Sequence, residues 1–252
     1  MEFEEYRSYQ PGDDFSRVDT AAFLRTGQHQ VKRYAVERSA DIVVFLDMSA
    51  SMATGTPLKL LLARQITASI GYVALAGGDR VRICVGGPGQ EWSHRLQGVA
   101  RFGELVNWLA RRERVGGGVE AEQLERMFNG LPPGRGLIFL VSDCLIAGIQ
   151  ETLLRLRIAG RDVVVHQVLS PEELDPGLLG QGPIDLLDSE TGDRVECDLG
   201  EENSARYRAE LESWNKGIER SLLGAARYFQ TRSDSPLEDV VLGTWRARGL
   251  IA

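Results

Sequence analysis

The chain has 252 residues, 43% hydrophobic and 26% charged, with a formal net charge of −7. That is enough apolar material for one substantial core with appendages, and the acidic balance argues against nucleic-acid or anionic-membrane binding, which need basic surfaces. Cys84, Cys144 and Cys197 match no metal or redox spacing, no apolar run is long enough to span a membrane, and the acidic first residues do not read as a secretory signal, so a reduced, cytoplasmic protein without membrane insertion is expected.

The chain opens with Tyr6-Arg7-Ser8-Tyr9-Gln10-Pro11-Gly12-Asp13-Asp14, followed by Arg17, Asp19, Arg25-Thr26-Gly27 and Val31-Lys32-Arg33-Tyr34. Pro11-Gly12 marks a turn, and Asp13 and Asp14 are placed to hydrogen-bond the backbone after it. Phe3, Tyr6 and Tyr9 recur every three residues, which suits one face of a short helix or turn packed on a body. Residues 1–38 therefore read as a leading segment and 39–252 as the main domain.

Ile42 to Leu46 is apolar without alternation, as in a strand covered on both faces of a parallel sheet. It runs into Asp47, Ser49 and Ser51, on the loop at the strand's carboxyl end, where open α/β sheets bind ligands. These side chains can equally hydrogen-bond the start of the next helix. Pro57 to Leu75 carries a helical stripe stopped at Gly77-Gly78. Val81–Val85 and Glu91–Arg95 predict a hairpin around Gly86-Gly87-Pro88-Gly89, giving an antiparallel edge strand; without a following Gly-Lys-Ser/Thr the glycines are a turn, not a nucleotide loop.

Helices are expected at 102–112 and 121–128, separated by Gly116-Gly117-Gly118-Val119-Glu120. Leu137–Val141 is a second fully apolar strand, ending in Ser142-Asp143-Cys144. Two neighbouring strands thus each deliver an aspartate at their carboxyl ends, and Asp143 either caps the helix beginning near Gly148 or serves as a ligand. Ile149–Ala159 predicts a helix closed by Gly160, and Asp162–Val168 a strand whose His166 reads as a hydrogen-bonded core residue. A hairpin is expected over 184–198, turning at Glu190–Asp193, then a helix over 205–229 and a terminal helix over 236–248. The alternation predicts an α/β fold: a doubly wound, mostly parallel sheet with helices on both faces and one antiparallel edge strand.

The Asp47-x-Ser49-x-Ser51 pattern resembles the first segment of the metal-ion-dependent adhesion site of von Willebrand factor A domains. The N-terminal series, running from Tyr6-Arg7 and Pro11-Gly12-Asp13-Asp14 to Asp47-x-Ser49-x-Ser51-Met52, resembles the bacterial domain-of-unknown-function fifty-eight family, with Thr20 departing from its usual aromatic. That resemblance implies a von Willebrand A-like, Rossmann-type fold and a non-enzymatic adaptor working with a MoxR-type AAA+ ATPase or its client. It also implies a site for Mg²⁺ or Mn²⁺ at Asp47, Ser49, Ser51 and Asp143. A partner would be engaged by these residues and Glu120. Where related domains bring a threonine hydroxyl to the metal, this chain has Val119, which carries no oxygen; metal binding would then be weak or absent unless Glu120 or water fills the position. Two alternatives stand beside the adaptor: a Mg-dependent phosphohydrolase using Asp47 as nucleophile, although the residue two positions on is Ser49 rather than a second carboxylate, and a metal-free scaffold binding through its N-terminal segment.

Overall fold

The structure is a computed structural model that describes residues 2–9, 23–25, 27–28, 30–35, 39–87, 89–112, 116–131, 136–222 and 227–250. The chain divides into two compact units, Met1–Ser39 and Ala40–Ala252. In the first, β1 (Glu2–Ser8) and β2 (Gln30–Ala35) pair antiparallel, with a register shift between Phe3 and Glu5. The helix or turn expected from the spacing of Phe3, Tyr6 and Tyr9 is corrected to a strand. Its backbone groups are satisfied by a partner more than twenty residues on, a long-range pairing that overrides local spacing. The Pro11-Gly12-Asp13-Asp14 turn lies outside the described residues.

The second unit runs β3 (Asp41–Asp47), α1 (Lys59–Ala76), β4 (Arg80–Gly86), β5 (Glu91–Trp92), β6 (Leu96–Gln97), α2 (Phe102–Ala110), α3 (Ala121–Asn129), β7 (Gly136–Ser142), α4 (Ile149–Ile158), β8 (Asp162–Leu169), α5 (Pro171–Leu174), β9 (Pro183–Leu187), β10 (Arg194–Asp198), α6 (Glu201–Ser221) and β11 (Tyr228–Arg232), then a π-helical segment Asp239–Trp245. Its main sheet has the order β11-β8-β7-β3-β4, all parallel, and β5 and β6 pair antiparallel with the outer edge of β4. The mostly parallel α/β sheet with an antiparallel edge is the expected one. The edge strand is split at Ser93, whose N–H still donates to Ile83 O at 2.8 Å but whose hydroxyl, not its carbonyl, takes the Ile83 N–H at 2.8 Å.

Alternate residues of the central strands feed two cores. Val44, Leu46, Phe139 and Val141 pack with α1, α2 and the π-helical segment, while Phe45, Ile138 and Leu140 pack with α3, α4 and α6. Each such side chain, when fully buried, contributes about 1.5–3 kcal/mol of transfer free energy. Gly86 is required beside them, since a Cβ there would fall 2.1 Å from Phe45 Cζ. The helix expected to reach residue 229 ends at Ser221, and Tyr228–Arg232 is instead the outermost parallel strand. Its buried Tyr228, Phe229 and Thr231 had prolonged the helical stripe by coincidence of spacing. The hairpin β9–β10 stands apart from the main sheet, with Leu187 paired to Arg194 beside its turn. Among the described residues no helix is long and apolar enough to cross a membrane.

Candidate functional site

Winding from β3 proceeds through α1 to β4 on one side, while β7 lies on the other. The carboxyl ends of β3 and β7 therefore flank the topological switch point, where the connections diverge. Asp47 ends β3, Ser142 ends β7, and Asp143 follows it directly. Asp47 is 1% exposed. Its Oδ1 accepts the Ser49 N–H at 2.8 Å and its Oδ2 accepts the Ser142 hydroxyl at 2.6 Å. Ser142 Oγ in turn accepts the Cys144 N–H at 2.9 Å. One carboxylate thus ties the two strand-end loops together. Ser49 Oγ and Ser51 Oγ lie 3.0 Å apart, and the glycine loop is pinned against them by Ala50 N–H donating to Gly117 O at 2.9 Å.

Asp143 is equally buried. Its Oδ1 accepts the Leu145 N–H at 3.1 Å, and its Oδ2 accepts from Lys59 Nζ at 2.8 Å. Lys59, the first residue of α1, has a fully buried side chain and makes a second ion pair, with Glu173 Oε1 at 2.5 Å. Glu173 is oriented by a capping box at the start of α5: Ser170 N–H donates to its Oε2 at 2.8 Å, and Ser170 Oγ accepts the Glu173 N–H. Behind Asp143, Gln167 Nε2 donates to its carbonyl at 2.8 Å, and Gln167 is itself held by Asn215 and Tyr228.

In front of these groups lies an open depression of about 400 Å³, lined by Ser49, Ser51, Val119, Glu120, Asp143 and Glu190 among others. Of the five residues expected from sequence, Ser49, Ser51, Glu120 and Asp143 line the depression, and Asp47 lies behind them, bonded to Ser49. Of these, Glu120 is exposed and Ser51 half-buried, whereas Asp47, Ser49 and Asp143 are buried. Val119 is 7% exposed and packs in the second core with Cys144 and Ile146. Glu190, from the tip of the β9–β10 hairpin, comes so close that a Cβ on Gly118 would fall 2.4 Å from its Oε2. Burial and the neighbouring charges of Asp47 and Asp143 push the Glu190 carboxyl above its ordinary range.

Burial, then the charge of Asp143, push the Asp47 carboxyl up to about 6, against the opposing hydrogen bonds from Ser142 and Ser49. A carboxyl raised in the folded state adds stability that is complete below its unfolded value of 3.8 and is lost as pH rises through about 6. Asp47→Asn keeps an Oδ1 acceptor for Ser49 and removes the buried charge. It is expected to raise the unfolding free energy by about 1–3 kcal/mol at neutral pH. The gain should vanish near the ordinary carboxyl range, as denaturant titrations at the two pH values would show.

The two aspartates and Val119 are not arranged as open ligands for a divalent ion. Mg²⁺ takes a near-octahedral shell of oxygens, yet both oxygens of Asp47 and both of Asp143 already accept hydrogen bonds from the chain, and Val119 supplies none. Among the described residues no group of three or more His, Cys, Asp or Glu side chains is close enough to hold a metal. Neither the histidine nor the cysteine nearest the site is placed for nucleophilic chemistry at the depression. His166 is in the core, bonded to Trp245, and burial raises the Cys144 thiol well above its ordinary value. Lys59, Ser142, Gln167, Glu173 and Glu190 were not picked out from sequence as site residues; a lysine in a chain whose basic residues are nearly all arginine was the signal available for the first.

A family model described as "Protein of unknown function DUF58" matches residues 5–217. Uncharacterized protein Rv1480 of Mycobacterium tuberculosis and uncharacterized protein Mb1516 of Mycobacterium bovis are each 28% identical over 193 residues, covering 75% of this chain. The chain spans 60% of the length of these curated relatives. Among solved structures, conserved hypothetical protein BatB from Bacteroides thetaiotaomicron and an aerotolerance-related membrane protein from Bacteroides fragilis each match with a TM-score of 0.51 at 14% identity, over 84% of this chain and 100% of theirs. That likeness shows the fold.

Proposed function

The chain belongs to the DUF58 family, and from that premise we propose that its second unit is a non-enzymatic protein-interaction module, an adaptor whose binding face is the depression at the carboxyl ends of β3 and β7. One observation carries this reading. Asp47 and Asp143 are turned inward and bonded to the chain's own donors, while Ser51, Glu120 and Glu190 are left at an open depression. Such a face is held by the chain's own hydrogen bonds and offers contact surface, whereas all four carboxylate oxygens of Asp47 and Asp143 already accept from the chain. The phosphohydrolase alternative needs Asp47 to present an oxygen to phosphorus, and here both are engaged.

The partner proposed is a MoxR-type AAA+ ATPase or that ATPase's client, as the family resemblance implies, and the setting proposed is cytoplasmic. The test is affinity purification of the tagged protein from its native cells, compared with the Glu120→Lys variant. Recovery of an AAA+ ATPase, reduced about tenfold or more by reversing one rim charge, would support the adaptor. Recovery unchanged by Glu120→Lys, in a folded variant, would move the interface elsewhere. Hydrolysis of a generic phosphomonoester with Mg²⁺, abolished by Asp47→Asn, would overturn the non-enzymatic reading.

A further inference from the structure

We infer that the cation of this site is built into the chain, the Lys59 ammonium holding Asp143 and Glu173 in the position a divalent ion would otherwise take, so that the binding face is assembled without metal. Lys59 sits on the first turn of α1, the end of a helix that disfavours positive charge, and its side chain is 0% exposed. A lysine is buried there only if carboxylates compensate it. Two do, at 2.8 and 2.5 Å, arriving from β7 and α5, which lie 84 and 114 residues further along the chain.

The ammonium therefore performs the structural work of a bound ion. It draws together α1, the β7 loop and the α5 cap beneath the depression. A divalent ion using Asp143 would have to displace Lys59 from Oδ2 or lie against a like charge. On the glycine loop Val119 is packed into the core and brings no side-chain oxygen, and the one carboxylate there, Glu120, is exposed at the rim of the depression. Asp47 likewise already accepts from Ser49 and Ser142, one bond at each oxygen.

This assignment rests on the proposed binding face for its functional meaning, but the measurement that decides it is metal binding and not partner capture. The probe is Mn²⁺, followed by paramagnetic resonance and by thermal unfolding of the full chain. For the natural sequence the unfolding midpoint should be the same in EDTA and in about 5 mM Mn²⁺, with no bound ion. Lys59→Ala opens the space and frees Asp143. Its midpoint should fall in EDTA and recover by about 5 °C or more in Mn²⁺, with one ion bound per chain. Lys59→Arg, which keeps the charge, should not respond to Mn²⁺.

Binding of one Mn²⁺ by the natural sequence with a Kd below about 1 mM would overturn the assignment. So would a folded Lys59→Ala that ignores Mn²⁺. Should Lys59→Ala not fold, the titration of the natural sequence decides alone. Loss of the adaptor reading leaves these outcomes unaffected, and metal binding would leave partner capture still to be judged by the Glu120→Lys comparison.

Discussion

Lys59→Met is expected to lower the unfolding free energy by about 3–5 kcal/mol, the cost of breaking a buried ion pair from one side. Methionine keeps most of the volume, so little of the loss comes from a cavity. The cost comes from Asp143, whose side chain is 2% exposed and which would keep a charge with only the Leu145 N–H for compensation. Glu173, 21% exposed, can regain water and contributes less. Although burial disfavours the charged amine, Asp143 and Glu173 together hold the Lys59 pKa above its ordinary value. A raised lysine adds stability that is complete below 10.5 and is lost only as pH rises beyond that, so the ion pair should persist throughout the physiological range. The companion variant Lys59→Met with Asp143→Leu removes both buried charges, and it should recover part of the loss. Urea unfolding of the three proteins measures this. A single-variant loss below about 1 kcal/mol would mean the pair behaves as an exposed one.

That same triad shows why the site was only half legible in the sequence. Asp47, Ser49, Ser51 and Asp143 could be placed because each follows directly on an apolar strand, and strand ends in a parallel sheet share one edge. Local pattern fixed those four. Lys59, Glu173 and Glu190 come from a helix start, a capping box and a hairpin tip, and only the folded topology brings them to the same edge. Apart from the rarity of lysine in this chain, their local sequence matches that of solvated charges, which is how such residues usually sit. The sheet itself was readable from runs such as Ile42–Leu46 and Leu137–Val141, whose side chains feed both cores. The misreadings fell where local periodicity and long-range pairing disagree. The spacing in β1 suits a helix or turn, yet it pairs with β2, and the stripe of the preceding helix runs on through β11, which instead completes the sheet beside β8. In both, partners distant in sequence decided the backbone conformation.

His166 is expected to contribute a loss of stability on acidification, about 1.4 kcal/mol per pH unit once the pH falls below the ordinary histidine value. His166 lies on β8, fully buried, with its ring 5.6 Å from Phe229 and its Nε2 accepting the Trp245 indole N–H at 3.0 Å. That acceptance fixes the neutral tautomer with its proton on Nδ1, an atom without a hydrogen-bond partner among the described residues. Burial lowers the His166 pKa from 6.5 to about 3. A depressed histidine adds stability that is complete above 6.5 and is lost progressively as pH falls toward 3, for a total on the order of several kcal/mol. Asp47 acts in the opposite sense over part of that range, because its proton uptake between about 6 and 3.8 favours the folded state. The two slopes oppose each other there, and of the two only His166 acts below it. His166→Phe should therefore become more stable than the natural protein at about pH 4 by a larger margin than at about pH 7, and Asp47→Asn should be the more acid-sensitive of the pair. Denaturant titrations across this range provide the check. A His166→Phe variant whose stability tracks the natural protein at every pH would show that the ring is not held neutral by burial.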